Sequence, residues 1–246
     1  MRINRIYIET RLQAGTEVTL VDSAANHVIR VLRLKSGAPL ELFNGDNRAC
    51  SATITGMDRR SVRVHIRECH QVSRESPFSV HLWQGISRGD KMDLVIQKAV
   101  ELGVAEITPV FTERCGVRLP PDRLQKKLDH WRKVVISACE QCGRNLLPIL
   151  HDAEYFSGLL ARQPFPASLV LDPKAGQALS GYPIGTDGIS LVVGPEGGLT
   201  EQEIGALIEA GAQGVTLGPR ILRTETAPLV AISLLQAKYG DLGQGA

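Results

Sequence analysis

The rhythm of hydrophobic and polar positions changes once along this chain, near residue 72. Before that point the pattern is mainly of period two. Ser61–Cys69 sets Val62, Val64 and Ile66 on one face and Arg63, His65 and Arg67 on the other. That spacing predicts a half-buried strand with a basic outer face. Glu41–Phe43 and Cys50–Thr55 flank Asn44-Gly45-Asp46-Asn47, which predicts a hairpin. One helical stretch interrupts them. Ala25, Val28, Ile29 and Leu32 recur at helical spacing and Gly37 follows as a stop. Arg30 and Arg33 fall on its more polar side. Residues 1–72 are thus expected to form a small β-rich module, a barrel. Gln71–Pro77 is polar, ends in Ser-Pro, and is read as a linker.

From Phe78 strands and helices alternate. Strands are expected at Phe78–Gln84, Glu106–Phe111, Ser168–Leu171, Ile189–Val193 and Gly214–Leu217. Helices are expected at Asp90–Leu102, Asp122–Cys142, Glu154–Arg162, Thr200–Ala210 and Thr224–Tyr239. This grammar predicts an α/β second domain over 73–246, a parallel sheet covered on both faces. Ligands of such sheets bind in the loops at the carboxyl ends of the strands. The last helix is apolar around most of its circumference, which means burial in a core or in a subunit interface.

Composition narrows the class. The chain has 246 residues, 43% hydrophobic and 22% charged, which excludes a disordered, collagenous or disulfide-scaffold protein. No apolar run approaches the ~18 residues of a membrane helix. The N-terminal MRINRIYIETRL has no apolar targeting core, so a cytoplasmic protein without membrane attachment is expected. The net charge of +2 conceals an asymmetry: net +4 over residues 1–72, +3 over 73–150 and −5 over 151–246. Positive charge gathered in the first 150 residues suits a polyanionic partner. Few aromatics argue against a base-stacking platform for single strands. Five scattered cysteines, an odd count, read as reduced thiols. Cys139 and Cys142 form a CxxC, but no second pair or nearby histidines complete a zinc site, so no metal is expected.

Three loops carry candidate chemistry. Leu171-Asp172-Pro173 follows one strand, and Gly194-Pro195-Glu196-Gly197-Gly198-Leu199-Thr200 follows another. The second is glycine-rich without the spacing of a dinucleotide or P-loop site. Its glycines offer close backbone approach to a flat ligand. Thr200 with Glu203 forms a capping box for the next helix. The third loop runs from Leu217-Gly218-Pro219 through Arg220, Arg223 and Glu225. Arginines at a helix start oppose the macrodipole, so an anionic partner or a salt bridge to Glu225 must explain them.

These residues carry a resemblance. GPEGGLTEQEI (Gly194–Ile204) and LGPRILRTETAPL (Leu217–Leu229) resemble the cofactor signature of the SPOUT class of S-adenosylmethionine-dependent methyltransferases. SRGDKMDLVIQKAVELGV (Ser87–Val104), ERCGVRL (Glu113–Leu119) and CEQCGRN (Cys139–Asn145) are similar to the RsmE family, which methylates N3 of a uridine in 16S ribosomal RNA. MRINRIYI and HVIRVLRLKSG (His27–Gly37) fit that family's PUA-like barrel. The resemblance implies a C-terminal deep trefoil knot, a homodimer, S-adenosylmethionine as cofactor and the small-subunit RNA as substrate. It further implies that Leu171, Gly194, Pro195, Glu196, Gly197, Leu217, Gly218, Ile221, Leu222, Thr224 and Ala227 hold the cofactor. Arg223 is expected to stabilise charge, with Glu225 as base or as its orienting partner. Arg2, Arg5, Arg30, Arg33, Lys91, Arg114 and Arg144 are the expected RNA contacts. The alternatives are a SPOUT enzyme acting on another RNA nucleoside and a non-catalytic RNA-binding protein of the same fold. A nicotinamide enzyme is disfavoured by the missing GxGxxG.

Overall fold

The computed structural model describes residues 3–117, 119–161, 167–185 and 188–243. Internal contacts divide the chain into two units, Met1–Glu75 with Cys139–Leu147, and Ser76–Ala138 with Pro148–Ala246. The short return of 139–147 to the first unit has no signature in the hydrophobic pattern.

The first unit contains β1 (Asn4–Tyr7), β2 (Glu17–Leu20), α1 (Asp22–Asn26), β3 (Pro39–Phe43), β4 (Arg48–Met57) and β5 (Val62–Gln71). They form one five-stranded sheet in the order β1-β3-β4-β5-β2. The β1–β3 pair is parallel and the others are antiparallel. Val62, Val64 and Ile66 enter the core with Ile6, Leu20, Leu40 and Leu42, while Arg63, His65 and Arg67 face solvent. The β3–β4 turn is made by Gly45 and Asn47, both at positive φ (86° and 65°), which these residue types tolerate. The expected helix is α1 followed by one π-helical turn, His27–Val31.

One expectation is corrected here. Cys50 and Cys69 are not free thiols. They lie directly opposite on β4 and β5 and form a disulfide, with Cα atoms 4.0 Å apart. The pairing register brings them together, and register is invisible to a count of cysteines. Cys115, Cys139 and Cys142 are free.

The second unit is built on a parallel sheet of β6 (Val80–Gly85), β7 (Glu106–Phe111), β8 (Ile149–Leu150), β9 (Glu154–Tyr155), β10 (Ser168–Leu171), β11 (Ile189–Val193) and β12 (Gln213–Val215). The order is β12-β10-β11-β6-β7-β8, with β9 also pairing β7. Its helices are α2 (Lys91–Glu101), α3 (Pro121–Cys142), α4 (Phe156–Ala161), α5 (Glu201–Glu209) and α6 (Ala227–Tyr239). Both faces are covered. Trp83, Val110, Val170 and Val192 pack with Leu159 of α4 and Leu207 of α5. Across the sheet α6 packs on β6 and β11 and against α2.

The strands at 106–111, 168–171 and 189–193 fall where the alternation places them. The apolar run from Thr224 starts its helix later, at Ala227, because residues 223–226 form a turn in which the Thr226 N–H donates to Arg223 O. Of the expected Glu154–Arg162 helix, the first two residues pair with β7 as β9, and Arg162 lies outside the described residues. No helix among the described residues is long and apolar enough to cross a membrane.

Candidate functional site

β10, β11 and β12 end side by side, so the three loops that follow them meet at one end of the sheet. They enclose a cleft of 1240 Å³. Leu171, Gly194, Pro195, Glu196, Gly197, Leu217, Ile221, Leu222, Thr224 and Ala227 all line it, with Lys91, Arg114 and Arg223. Gly218 belongs to the same loop, at φ +113°, but is not in the lining. Asp172 and Lys174 line the cleft too; Asp172 belongs to the first candidate loop, but neither is among the expected cofactor contacts. Asp172 accepts the Lys174 N–H at 2.9 Å and so shapes the turn after β10.

Close backbone approach explains the glycines. A Cβ at Gly194 would sit 2.8 Å from Leu199 N, and one at Gly197 would sit 2.9 Å from Arg114 Cβ. A Cβ at Gly85, at the end of β6, would sit 2.5 Å from Pro195 N. Only a residue without Cβ lets these segments touch. The capping box expected at the start of α5 is present: Thr200 Oγ1 accepts from Glu203 N, and Glu203 Oε2 accepts from Thr200 N. The other oxygen of Glu203 accepts the Glu113 N–H at 2.8 Å, tying the loop after β7 to the glycine-rich loop.

Thr224 is the junction of two loops. It is buried, and its Oγ1 donates to Gly194 O at 2.8 Å. Gln84 Nε2 donates to Thr224 Oγ1 at 3.3 Å, and Ser87 Oγ stands 3.3 Å from that hydroxyl. Gln84 and Ser87 are themselves buried. Neither was a candidate from sequence, because nothing in their local pattern signals burial of a polar group.

The charged groups form a chain. Lys91 Nζ lies 3.3 Å from Glu196 Oε1 and 3.6 Å from Glu225 Oε2. Arg223 Nη1 lies 3.9 Å from Glu225 Oε1. The two partners differ sharply in exposure: the Arg223 side chain is 82% exposed and the Glu225 side chain 15%. A shielded carboxylate therefore sits beneath a guanidinium that reaches into solvent. Burial opposes ionisation of Glu196, but the Arg88 N–H and the Lys91 ammonium outweigh it and hold its carboxyl below the usual glutamate value. Ile221 is 83% exposed, an apolar side chain presented at the cleft mouth.

The expected RNA contacts separate. Arg30, Arg33 and Arg114 are exposed, and Lys91 is partly exposed at the cleft. Arg2 lies outside the described residues. Arg5 and Arg144 are not at the surface, which runs against the expectation of a polyanion contact. Arg144 is 4% exposed and ion-paired with Glu75. Arg5 pairs with Glu41 and donates to Arg144 O and Asn145 Oδ1. Burial pulls the Arg5 guanidinium below its ordinary value, and Glu41 opposes that pull. The two guanidiniums pin 139–147 to β1 and to the segment after β5, and both are turned into the fold.

Comparison with known proteins places the chain in a family. A family model described as an RNA methyltransferase domain matches residues 74–236, and one described as an RNA methyltransferase PUA domain matches 20–67. The ribosomal RNA small subunit methyltransferase E of Buchnera aphidicola (subsp. Schizaphis graminum) is 39% identical over 242 residues, spanning 98% of each chain. The crystal structure of the enzyme of that name from Neisseria gonorrhoeae, bound to S-adenosyl methionine, superposes with a TM-score of 0.93 at 41% identity. That match covers 98% of this chain and 99% of the other. A Legionella pneumophila structure with bound cofactor SAM superposes with a TM-score of 0.95 at 42% identity, covering 98% and 100%. With both family models and full-length relatives in agreement, the chain belongs to the ribosomal RNA small subunit methyltransferase E family.

Proposed function

We propose that this protein transfers a methyl group from S-adenosylmethionine to N3 of one uridine in the 16S RNA of the small ribosomal subunit. The observation that carries the reading is the shielded Glu225 between Lys91 and the exposed Arg223, two cations that line a cleft bounded by three strand-end loops. The cleft fits the cofactor on its own terms. It offers glycines that admit a flat ligand, apolar Leu171, Leu217, Ile221 and Leu222, and the carboxylate of Glu196 for a cationic sulfonium.

Bound S-adenosylmethionine supplies an electrophilic methyl carbon on sulfur. The protein's residues handle the nucleophile. N3 of uridine is an imide nitrogen and must lose its proton as the N–C bond forms. Glu225, the carboxylate beside Arg223 and Lys91, accepts that proton. Arg223, free to swing outward, stabilises the negative charge spread over O2 and O4 of the base. Thr224 holds the loop bearing both residues against Gly194. Positioning of this kind is a large part of the rate enhancement in bimolecular transfers.

Three further readings belong to this proposal. The loops after β10, β11 and β12 are the loops of a trefoil knot. This reading is supported by the parallel bridge of Ala178 to Thr216 and by the contact of Gly85 with the 194–195 backbone. The chain works as a homodimer in the cytoplasm, where its substrate resides. The partly open apolar positions Leu229, Val230 and Leu234 of α6 suit a subunit interface. Residues 1–72 grip RNA phosphates through Arg30 and Arg33 while 73–246 carries the chemistry, so binding weakens with salt.

The test is turnover of two variants with labelled cofactor and small subunits that lack the methyl group. Arg223→Ala and Glu225→Gln should each lower transfer by about 100-fold or more, the scale of losing an electrostatic or proton-transfer group, with an unchanged fold. Near-normal turnover of either removes it from the mechanism.

A further inference from the structure

At the other end of the same sheet lies a second cluster. His81 and Glu106 are directly paired across β6 and β7, so their side chains share a face. Glu106 pairs in turn with Ile149 of β8, and His151 continues that strand with its N–H donating to Ile107 O at 2.9 Å. Period two therefore returns the His151 side chain to the face of Glu106. Residues separated by up to 70 positions meet because of register alone.

We propose that His81, Glu106 and His151 form a binding site for one zinc ion. Their ligand atoms all lie within 4.8 Å of one another. His151 Nε2 is 2.6 Å from Glu106 Oε2, and His81 Nδ1 is 3.9 Å from the same oxygen. Zinc bonds of about 2.0–2.2 Å put neighbouring ligand atoms of a tetrahedral site about 3.3 Å apart. These two separations bracket that value and the third is no more than 4.8 Å, so side-chain shifts of about 1 Å complete the site. Two imidazoles and one carboxylate are a common zinc set, with water in the fourth position. The side chains are 19%, 36% and 30% exposed, open enough for an ion to enter.

The orientation of His81 adds an independent argument. Its Nε2 lies 2.8 Å from Thr108 Oγ1, on the same strand face two residues beyond Glu106. In the tautomer that donates Nε2–H to that hydroxyl, the Nδ1 lone pair is the one that faces Glu106. Outer partners of this kind fix the tautomer of metal-bound histidines. His151 binds through Nε2 once its proton resides on Nδ1, so uptake of the ion displaces the present His151–Glu106 hydrogen bond.

The location assigns the ion a role. The cluster sits at the amino-terminal ends of β6 and β7, whereas the reaction cleft sits at the carboxyl ends of the strands. Zinc here is a clip that fastens the two-residue β8 to the sheet edge, and takes no part in methyl transfer.

The experiment titrates zinc ion alone into chelator-stripped, full-length protein by calorimetry. One ion per chain is expected, with a rise in Tm. Thr108→Val should weaken binding about 10-fold or more, as loss of an outer-shell partner does. His151→Ala and Glu106→Gln should weaken it further. Glu106→Gln retains a hydrogen-bonding partner for His151 and guards against a variant that fails to fold. Absence of stoichiometric binding in the wild type, or unchanged affinity in either ligand variant, overturns the proposal.

Discussion

Thr224→Val isolates the joint between the glycine-rich loop and the loop carrying Arg223 and Glu225. Valine keeps the shape of threonine and removes its hydroxyl. The hydroxyl donates to Gly194 O at 2.8 Å and meets Gln84 Nε2 and Ser87 Oγ at 3.3 Å. Gln84 Nε2 and Ser87 Oγ keep a second partner in Gly85 O, at 3.1 and 3.4 Å. The net loss is then close to one buried hydrogen bond at Gly194 O, about 1–3 kcal/mol. For a chain of this size that corresponds to a fall in Tm of about 2–12 °C. The loss falls on the cleft loops, so the Kd for S-adenosylmethionine should also rise, by about 5- to 140-fold if the loops bear all of it. Thr224→Ser keeps the hydroxyl and should restore most of the affinity. Differential scanning calorimetry and isothermal titration measure both effects. A Thr224→Val protein with wild-type Tm and wild-type affinity would refute the claim that this contact holds the two loops together.

Gly85→Ala should disturb the cleft from beneath. Its Cβ would lie 2.5 Å from Pro195 N, and overpacking of this kind costs about 1–3 kcal/mol, measurable as weaker cofactor binding by calorimetry. Arg144→Met removes one partner of a buried ion pair and should lower stability by about 3–5 kcal/mol in denaturant titrations. If it weakened RNA binding with no loss of stability, Arg144 would be an RNA contact after all. Burial pushes the Cys139 thiol up to about 12, so iodoacetamide at neutral pH should label Cys115 and Cys142 well before Cys139; mass spectrometry of the peptides decides this. The Glu196 carboxyl is held below its usual value of 4.5, so it contributes stability above that pH and loses it as the pH falls through the lower, folded value. Glu196→Gln should therefore flatten the acid limb of a Tm-against-pH curve, and an unchanged limb would count against it.

Local pattern made the second unit readable and left its site half seen. Ser168–Leu171 and Ile189–Val193 are short apolar runs, and a strand of four or five buried residues leaves such a run. Once the strands stand in parallel, the loops at their carboxyl ends are the place for ligands, so the three loops could be singled out before their meeting point was known. Thr200 and Glu203 announced a helix start because a capping box acts over three residues. Gln84 and Ser87 escaped notice because their importance comes from Thr224, about 140 residues away in sequence. Arg5 and Arg144 are expected RNA contacts by the resemblance alone, and no local pattern shows that their partners Glu41 and Glu75 lie elsewhere in the chain. The disulfide and the His81–Glu106–His151 cluster share that cause. Both follow from strand register, which no single strand's pattern contains. Two-residue β8, too short to leave a periodic signal, is the element on which the cluster depends.

The most direct measurement of the central claim uses purified protein, labelled S-adenosylmethionine and small ribosomal subunits from cells lacking this activity. Digestion of the RNA to nucleosides and mass spectrometry should find one methyl group per subunit, as 3-methyluridine. A methyl group on a ribose, on another base or only on transfer RNA would contradict the account, as would failure to transfer any methyl group to the subunit.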